Sequence, residues 1–120
     1  MASILVADDS GAIRLVLKDI LEVGQHSVVG EASDGQEAVE KYSELKPDLL
    51  LLDLAMPKKD GYTALKEIIQ LDPDAKIILI TAADDQKIIN QCLTAGAKAY
   101  ISKPFDFDNV LKVISSTVSN

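Results

Sequence analysis

The chain has 120 residues, a length that suits one compact domain with one hydrophobic core. Hydrophobic residues make up 48% and charged residues 26%, as in ordinary globular proteins, and no apolar run is long enough to span a membrane. The net charge of −7 argues against direct nucleic-acid binding, because such binding depends on basic residues that neutralise phosphates.

Two kinds of segment alternate along the chain. Short apolar segments rich in β-branched residues predict five strands: Ser3–Ala7, Ser27–Ala32, Asp48–Asp53, Lys76–Thr81 and Ala99–Ser102. The longer segments that follow them have helical spacing, with these apolar faces: Ile13, Val16, Leu17, Ile20 and Leu21; Ala38, Val39, Tyr42 and Leu45; Leu65, Ile68 and Ile69; Ile88, Ile89, Cys92 and Leu93; Val110, Leu111 and Ile114. This alternation predicts an α/β fold, in which helices cover both faces of a parallel sheet.

Residues suited to helix ends support these boundaries. The predicted amino-terminal caps are Ser10, Asp34 with Glu37 as a capping box, and Asp106. The predicted helix stops are Gly24 and Gly96, with Pro47 and Pro73 just beyond two other helices. The fifth helix should end at about Val118, so we expect one domain over residues 1–120 and no output domain.

Single cysteine and histidine residues limit the chemistry. With Cys92 as the one cysteine, no internal disulfide is possible, and its place on an apolar helix face predicts burial. With His26 as the one histidine, neither a zinc site nor a Ser-His or Cys-His catalytic pair is indicated. The amino terminus has no signal-peptide pattern, so we expect a cytoplasmic location. We also expect a monomer.

Polar side chains gather where the predicted strands end: Asp8 and Asp9, Asp53, Thr81, and Lys103 with Pro104. The carboxyl ends of parallel strands share one edge of the sheet, where ligands of such sheets bind. Two like charges about 4 Å apart repel by roughly 4 kcal/mol at an effective dielectric near 20. Three carboxylates in one cleft therefore need a cation, and Lys103 supplies only one charge. Carboxylate oxygens suit Mg²⁺, so we predict a Mg²⁺ site here.

Asp53 is the best-placed nucleophile in this cleft. It ends a strand that contains four consecutive leucines, Leu49 to Leu52, and burial of such a carboxylate is costly without a partner. Neither G-x-x-x-x-G-K-[ST] nor G-x-G-x-x-G occurs, so a nucleotide is not the expected ligand. A carboxylate can instead accept a phosphoryl group covalently.

Four stretches, "ILVADDS", "LLLLDLAMPKKDG", "IILITA" and "AYISKPF", occur in the order and at the spacing of a known family. Through them, nearly the whole chain resembles the response-regulator receiver domains of two-component signalling, of the stand-alone CheY-like kind. The resemblance implies a flavodoxin-like (βα)5 fold with strand order 2-1-3-4-5. It also implies a phosphoprotein that is not an enzyme acting on outside substrates, although it assists its own phosphorylation and dephosphorylation.

The resemblance implies a role for each residue of the cleft. Asp53 is the phospho-acceptor and also binds Mg²⁺, together with Asp9 directly, Asp8 mainly through water, and the backbone carbonyl of Ala55. Thr81 and Lys103 each contact a phosphoryl oxygen, and Pro104 follows a cis peptide bond. Tyr100 is the switch aromatic, which turns inward when Thr81 moves. Ala55 and Ala83 occupy two positions that tune the lifetime of the phosphate.

The resemblance also implies partners. A sensor histidine kinase donates the phosphoryl group, and the output partner binds the face formed by helix four, strand five and helix five. Candidate residues on this face are Ile88, Gln91, Ala95, Tyr100 and Lys112. Chemotaxis, with a motor-switch or adaptor protein as partner, is the first hypothesis. The alternative is a phosphorelay shuttle that passes phosphate to a histidine phosphotransfer protein.

Two further function classes are weighed against these. A phosphohydrolase of the haloacid-dehalogenase type would need an aspartate two residues after Asp53, where this chain has Ala55. A receiver that no longer signals by phosphate would have lost part of the site, yet every site residue is present.

Overall fold

The computed structural model describes residues 2–82 and 86–119. In this part of the chain, strands and helices alternate in the order β1 (Ser3–Ala7), α1 (Gly11–Val23), β2 (Ser27–Ala32), α2 (Gly35–Leu45), β3 (Leu49–Asp53), α3 (Gly61–Leu71), β4 (Ile77–Thr81), α4 (Gln86–Ala95), β5 (Ala99–Ser102) and α5 (Phe107–Val118). The strands form one parallel sheet in the order β2-β1-β3-β4-β5, which confirms the predicted fold class and strand order.

The sheet is covered on both faces, as its apolar strands require. Every residue of β3 and β4 is buried, because alternate side chains point to opposite faces and helices lie on each. On one face, Leu50 and Leu52 pack in a core with residues of α2, α3 and α4. On the other, Leu49 and Leu51 pack with residues of α1 and α5. The strands that carry the site are therefore held from both sides.

Most predicted helix ends are confirmed. Ser10 caps α1, since its Oγ accepts a hydrogen bond from the Ile13 N–H at 3.2 Å. Asp34 caps α2 by accepting from the Glu37 N–H at 2.8 Å. Glu37 completes the motif differently from a standard capping box, because Oε1 accepts from the N–H of Ser33 at 2.7 Å. Gly24 and Gly96 follow α1 and α4 directly, as predicted.

Other sequence predictions were wrong in detail. Asp106 precedes α5 but its side chain makes no capping bond, and because this position is exposed, water can satisfy the first N–H groups instead. Strands β3 and β4 begin one residue later than predicted, and Asp48 instead accepts from the Ser3 N–H at 2.8 Å through its side chain. Val16 and Leu45, assigned to buried helix faces, are 45% and 37% exposed.

No helix among the residues described here is both long and apolar enough to cross a membrane.

Three of the described helices begin with glycine, and one of these glycines lies against the backbone that carries Asp53. A Cβ at Gly61 would lie 2.3 Å from the carbonyl oxygen of Asp53 and 2.7 Å from Cα of Leu54. A Cβ at Gly11, which begins α1, would approach nothing closer than the Arg14 guanidinium at 3.6 Å. Helix α3 can therefore approach the end of β3 only because residue 61 has no side chain.

We expect Gly61→Ala to lower the free energy of unfolding by about 2 kcal/mol, because backbone atoms must move to accept the methyl group. Gly11→Ala is the matched control, and we expect it to change stability by less than about 0.5 kcal/mol. Urea denaturation of both variants measures this difference. Equal stability of the two variants would contradict the close approach of α3 to β3.

Candidate functional site

The predicted site residues lie together at the carboxyl edge of the sheet. Asp8 directly follows β1, Asp53 and Thr81 end β3 and β4, and Lys103 directly follows β5. The strand order places these strands next to one another, so their ends border one cleft. The predicted convergence of side chains is confirmed for the acidic residues and for Lys103, whose contacts are given below.

Lys103 links the two buried carboxylates. Its Nζ lies 3.0 Å from Oδ2 of Asp8 and 3.7 Å from Oδ1 of Asp53. Its backbone N–H donates to the carbonyl of Thr81 at 2.9 Å, which fixes the start of the loop after β5 against the end of β4. The Lys103–Pro104 peptide bond is cis, as the family resemblance implied.

Three carboxylates form a cluster that could hold a metal ion. Asp8, Asp9 and Asp53 each offer an oxygen, and these oxygens lie within 4.8 Å of one another. Asp8 is fully buried and Asp53 is 4% exposed, whereas Asp9 is exposed to solvent. Oδ2 of Asp8 has no hydrogen-bond partner among the described residues, because Lys103 lies at ion-pair distance but is not aligned to donate.

This donor set fits Mg²⁺. Its ligands are hard oxygen atoms from carboxylates, and one of them is a buried oxygen that no hydrogen bond satisfies. The exposed Asp9 leaves one side of the cluster open to water, which Mg²⁺ keeps in most of its protein sites. The three acidic residues of the predicted metal site therefore lie close enough together to hold one Mg²⁺ ion.

The electrostatic environment of Asp53 disfavours its charged form. Burial is the largest cause and the nearby Asp8 carboxylate the second, while Lys103 acts in the opposite direction, and together they raise the pKa of Asp53 to about 6. The N–H of Ala55 makes only a long contact of 3.5 Å with Oδ1 of Asp53. A positively charged ligand or a phosphoryl group held by cations would relieve this unfavourable charge.

The turn after β1 is fixed by contacts that the sequence did not reveal. Oδ1 of Asp8 accepts from the N–H of Ser10 at 2.9 Å, and the carbonyl of Asp8 accepts from Nη1 of Arg14 at 2.6 Å. Nε of Arg14 also donates to Oε1 of Glu31 on β2 at 2.9 Å. The sequence alone does not reveal the role of Arg14, because its contact across the turn depends on its side-chain conformation.

The loop after β3 is also tied to its surroundings by ion pairs that the sequence analysis missed. Nζ of Lys59 lies 2.7 Å from a carboxylate oxygen of Glu67, and Nζ of Lys58 lies 3.6 Å from one of Asp34. Ala55, within this loop, is exposed. Ala83, the other position predicted to tune phosphate lifetime, lies outside the described residues.

The predicted partner face contains both structural and exposed residues. Tyr100 on the edge strand β5 is 40% exposed, and Gln91 and Lys112 are exposed as well. Ile88 and Ala95 pack against the hydrophobic core, so they contribute to the stability of α4. Thr81 is buried at 3% exposure, one strand away from Tyr100.

Comparison with known proteins gives a consistent result. The family model of the response regulator receiver domain matches residues 4–115. The chain is 47% identical to the chemotaxis protein CheY of Bacillus subtilis over 97% of each chain, and 44% identical to that of Thermotoga maritima over 93% of each. It is similar to a chain in the solved CheX–CheY–BeF3–Mg²⁺ complex from Borrelia burgdorferi, with a TM-score of 0.92 and 36% identity, over 95% of this chain and 87% of that one.

The raised pKa of Asp53 makes stability depend on pH. Between its ordinary value of 3.8 and about 6, the folded state holds a proton that the unfolded state has lost, so stability falls as the pH rises through this window. Asp53→Asn removes the charge, and we expect it to raise the free energy of unfolding at pH 8 by about 1–3 kcal/mol, with little change at pH 4.

Urea denaturation at both pH values, with a chelator present, measures the effect. Asp74→Asn is the matched control, because Asp74 is exposed and lies in the loop before β4, at the opposite edge of the sheet. A stabilisation by Asp53→Asn that is the same at pH 4 and pH 8 would contradict the unfavourable charge.

Proposed function

The chain belongs to the family of response regulator receiver domains, and from this premise we propose that it signals in chemotaxis through phosphorylation of Asp53. We propose further that residues 1–120 form a single receiver domain located in the cytoplasm. A sensor histidine kinase would be the phosphodonor. The protein would turn over no outside substrate, although its own residues would assist the transfer.

One observation carries the assignment of Asp53. It is a carboxylate buried at the end of an apolar strand, with the ammonium of Lys103 3.7 Å away. A buried aspartate in a purely structural role would be fully paired, whereas Asp53 shares a single ammonium with Asp8 and has a raised pKa. A carboxylate that is held on a rigid strand and is only partly neutralised by a lysine is suited to accept a phosphoryl group that binds together with a cation.

The proposed transfer is an in-line displacement at phosphorus. An Oδ atom of ionised Asp53 attacks the phosphorus of a phosphohistidine, a P–O bond forms, and the P–N bond breaks. The electron pair of that bond goes to the imidazole nitrogen, which takes a proton from the solvent. The products are an acyl phosphate on Asp53 and a neutral histidine on the kinase.

The residues around Asp53 would stabilise the transferring group. Lys103, already within ion-pair distance of Asp53, is placed to pair with a phosphoryl oxygen. The hydroxyl of Thr81, at the end of the neighbouring strand, would donate to another. Asp8, Asp9, Asp53 and the carbonyl of Ala55 would hold Mg²⁺. When bound, Mg²⁺ offsets the negative charge of the carboxylates and the phosphoryl group.

The chemotaxis role is supported by the named relatives. CheY proteins of two bacteria match almost the full length of this chain. A similar chain is found in a complex with CheX, together with BeF3 and Mg²⁺. We propose that phosphorylation moves Thr81 and turns Tyr100 inward, and that the face of α4, β5 and α5 then binds a motor-switch or adaptor protein.

We expect incubation with Mg²⁺ and acetyl phosphate to add one phosphoryl group to the protein, because the site itself stabilises the transfer. Intact-mass spectrometry measures the addition. Asp74→Asn, the exposed control, should be labelled like the wild type, and Asp53→Asn should stay unlabelled. Labelling of Asp53→Asn to the same extent as the wild type would contradict the assignment of Asp53 as the phospho-acceptor.

The partner class can be tested with two baits in a lysate of the source organism. One bait is the wild-type protein with Mg²⁺ and beryllofluoride, and the other is Asp53→Asn. We expect motor-switch, adaptor or chemotaxis-phosphatase proteins to be enriched on the first bait only. Recovery of a histidine phosphotransfer protein, without any of these, would replace the chemotaxis role with that of a phosphorelay shuttle.

A further inference from the structure

Arg14 joins three segments next to the acidic cluster without belonging to it. It lies in the first turns of α1. Its Nη1 donates to the backbone carbonyl of Asp8 at 2.6 Å, and its Nε donates to Oε1 of Glu31 on β2 at 2.9 Å. The side chain is 21% exposed, so both bonds are partly shielded from water.

The carbonyl that Arg14 binds needs a partner from outside the sheet. Strand pairing between β1 and β2 ends at Ala7, opposite Ala32, and the N–H of Asp8 makes one more bond, to the carbonyl of Ala32 at 3.0 Å. The carbonyl of Asp8 lies beyond this pairing, where the chain turns into α1. The guanidinium therefore continues the hydrogen bonding of the strand past its last paired residue.

This carbonyl belongs to the peptide group that joins Asp8 to Asp9. Its orientation sets ψ of Asp8 and φ of Asp9, which in turn set the directions in which the two carboxylates leave the backbone. The oxygens of both carboxylates lie within 4.8 Å of each other and of an oxygen of Asp53. A rotation of this one peptide group would therefore move two of the three carboxylates of the cluster.

An arginine is suited to this position because its planar guanidinium donates in several fixed directions. Here one nitrogen donates to the turn after β1 and another to the carboxylate of Glu31, so the group is held from two sides. A lysine would carry the same charge on one ammonium group, which lacks the fixed fork that reaches both acceptors.

We propose that Arg14 is a positioning residue of the Mg²⁺ site, which holds the Asp8–Asp9 peptide so that both carboxylates face the metal. Glu31 anchors the guanidinium in turn. The inference rests on the proposed function in taking Mg²⁺ as the ion, but it does not require that the site be phosphorylated.

The charge of Arg14 allows a sharp test, because charge and position act in opposite directions. Removing a positive charge near a cation site should strengthen Mg²⁺ binding, since the arginine and the metal repel each other. Loss of the positioning bond should weaken Mg²⁺ binding, because Asp8 and Asp9 no longer converge. A weaker site in an uncharged variant therefore cannot come from the lost charge.

The experiment is calorimetric titration of the whole chain with MgCl2. We expect Arg14→Met to raise the Mg²⁺ dissociation constant about tenfold, as is found for other residues that orient metal ligands. Arg14→Lys should raise it less. Lys18→Met is the matched control for the same charge change, because Lys18 is exposed one turn further along α1, and we expect no rise. Asp9→Ala should abolish binding.

A second readout separates positioning from general damage to the fold. The rate of labelling by acetyl phosphate in Arg14→Met should approach the wild-type rate once Mg²⁺ is saturating, because the site is weakened and not destroyed. If Arg14→Met does not unfold cooperatively in the absence of metal, Arg14→Lys carries the test.

The outcomes are distinct. A dissociation constant for Arg14→Met and Arg14→Lys equal to or below that of the wild type would overturn the positioning role, while the proposed function stands. A rise of the same size in Lys18→Met would also overturn it, because the effect would then come from α1 in general. If the wild type itself binds no Mg²⁺, the metal site of the proposed function fails and this inference fails with it.

Discussion

The contact of one lysine with two buried carboxylates is the constraint on which the rest of this structure depends. Asp8 is fully buried and Asp53 nearly so, and both rely on Nζ of Lys103, at 3.0 and 3.7 Å. A buried charge without a partner costs several kcal/mol, so loss of this ammonium would leave two of them. Asp9 adds a third carboxylate to this cluster. The site is thus folded with more negative than positive charge, and binding of a cation would offset this excess.

The fold makes this arrangement possible by burying the central strands of the sheet. Strands β3 and β4 are buried along their whole length by helices on both faces, so their ends are held rigidly. The glycine that begins α3 lets that helix press against the backbone of Asp53. The turn after β1 is fixed by bonds from Ser10 and Arg14. The free energy gained by burying the hydrophobic core therefore offsets the cost of the buried charges in the cleft. The core also fixes the positions of those charges.

The α/β fold class and the clustering of acidic residues with Lys103 could be predicted from the sequence, because periodicity marks the strands and the carboxyl ends of parallel strands share one edge. The strand order and the role of each site residue came instead from the family resemblance. Runs such as Leu49–Leu52 marked the strands to within one residue, and the residues after each run gave the cleft. What failed depends on tertiary contacts or side-chain conformation. Asp106 has the residue type of a cap but makes no capping bond, and Val16 has helical spacing but is 45% exposed. The bond from Arg14 to the Asp8 carbonyl and the pKa of Asp53 depend on three-dimensional distances that no spacing encodes.

The structure also suggests how an event at the site could reach the surface. The N–H of Lys103 donates to the carbonyl of Thr81, and Thr81 pairs in register with Ser102, so the ends of β4 and β5 are bound to each other. Tyr100 lies two residues before Ser102 on the same edge strand and is 40% exposed. On the proposed function, a phosphoryl group would bind Thr81 and Lys103 together. Movement of either residue would shift the end of β5, a strand of four residues. Because no further strand of the described sheet pairs with the outer side of β5, this strand can respond with less disruption of the sheet than any central one.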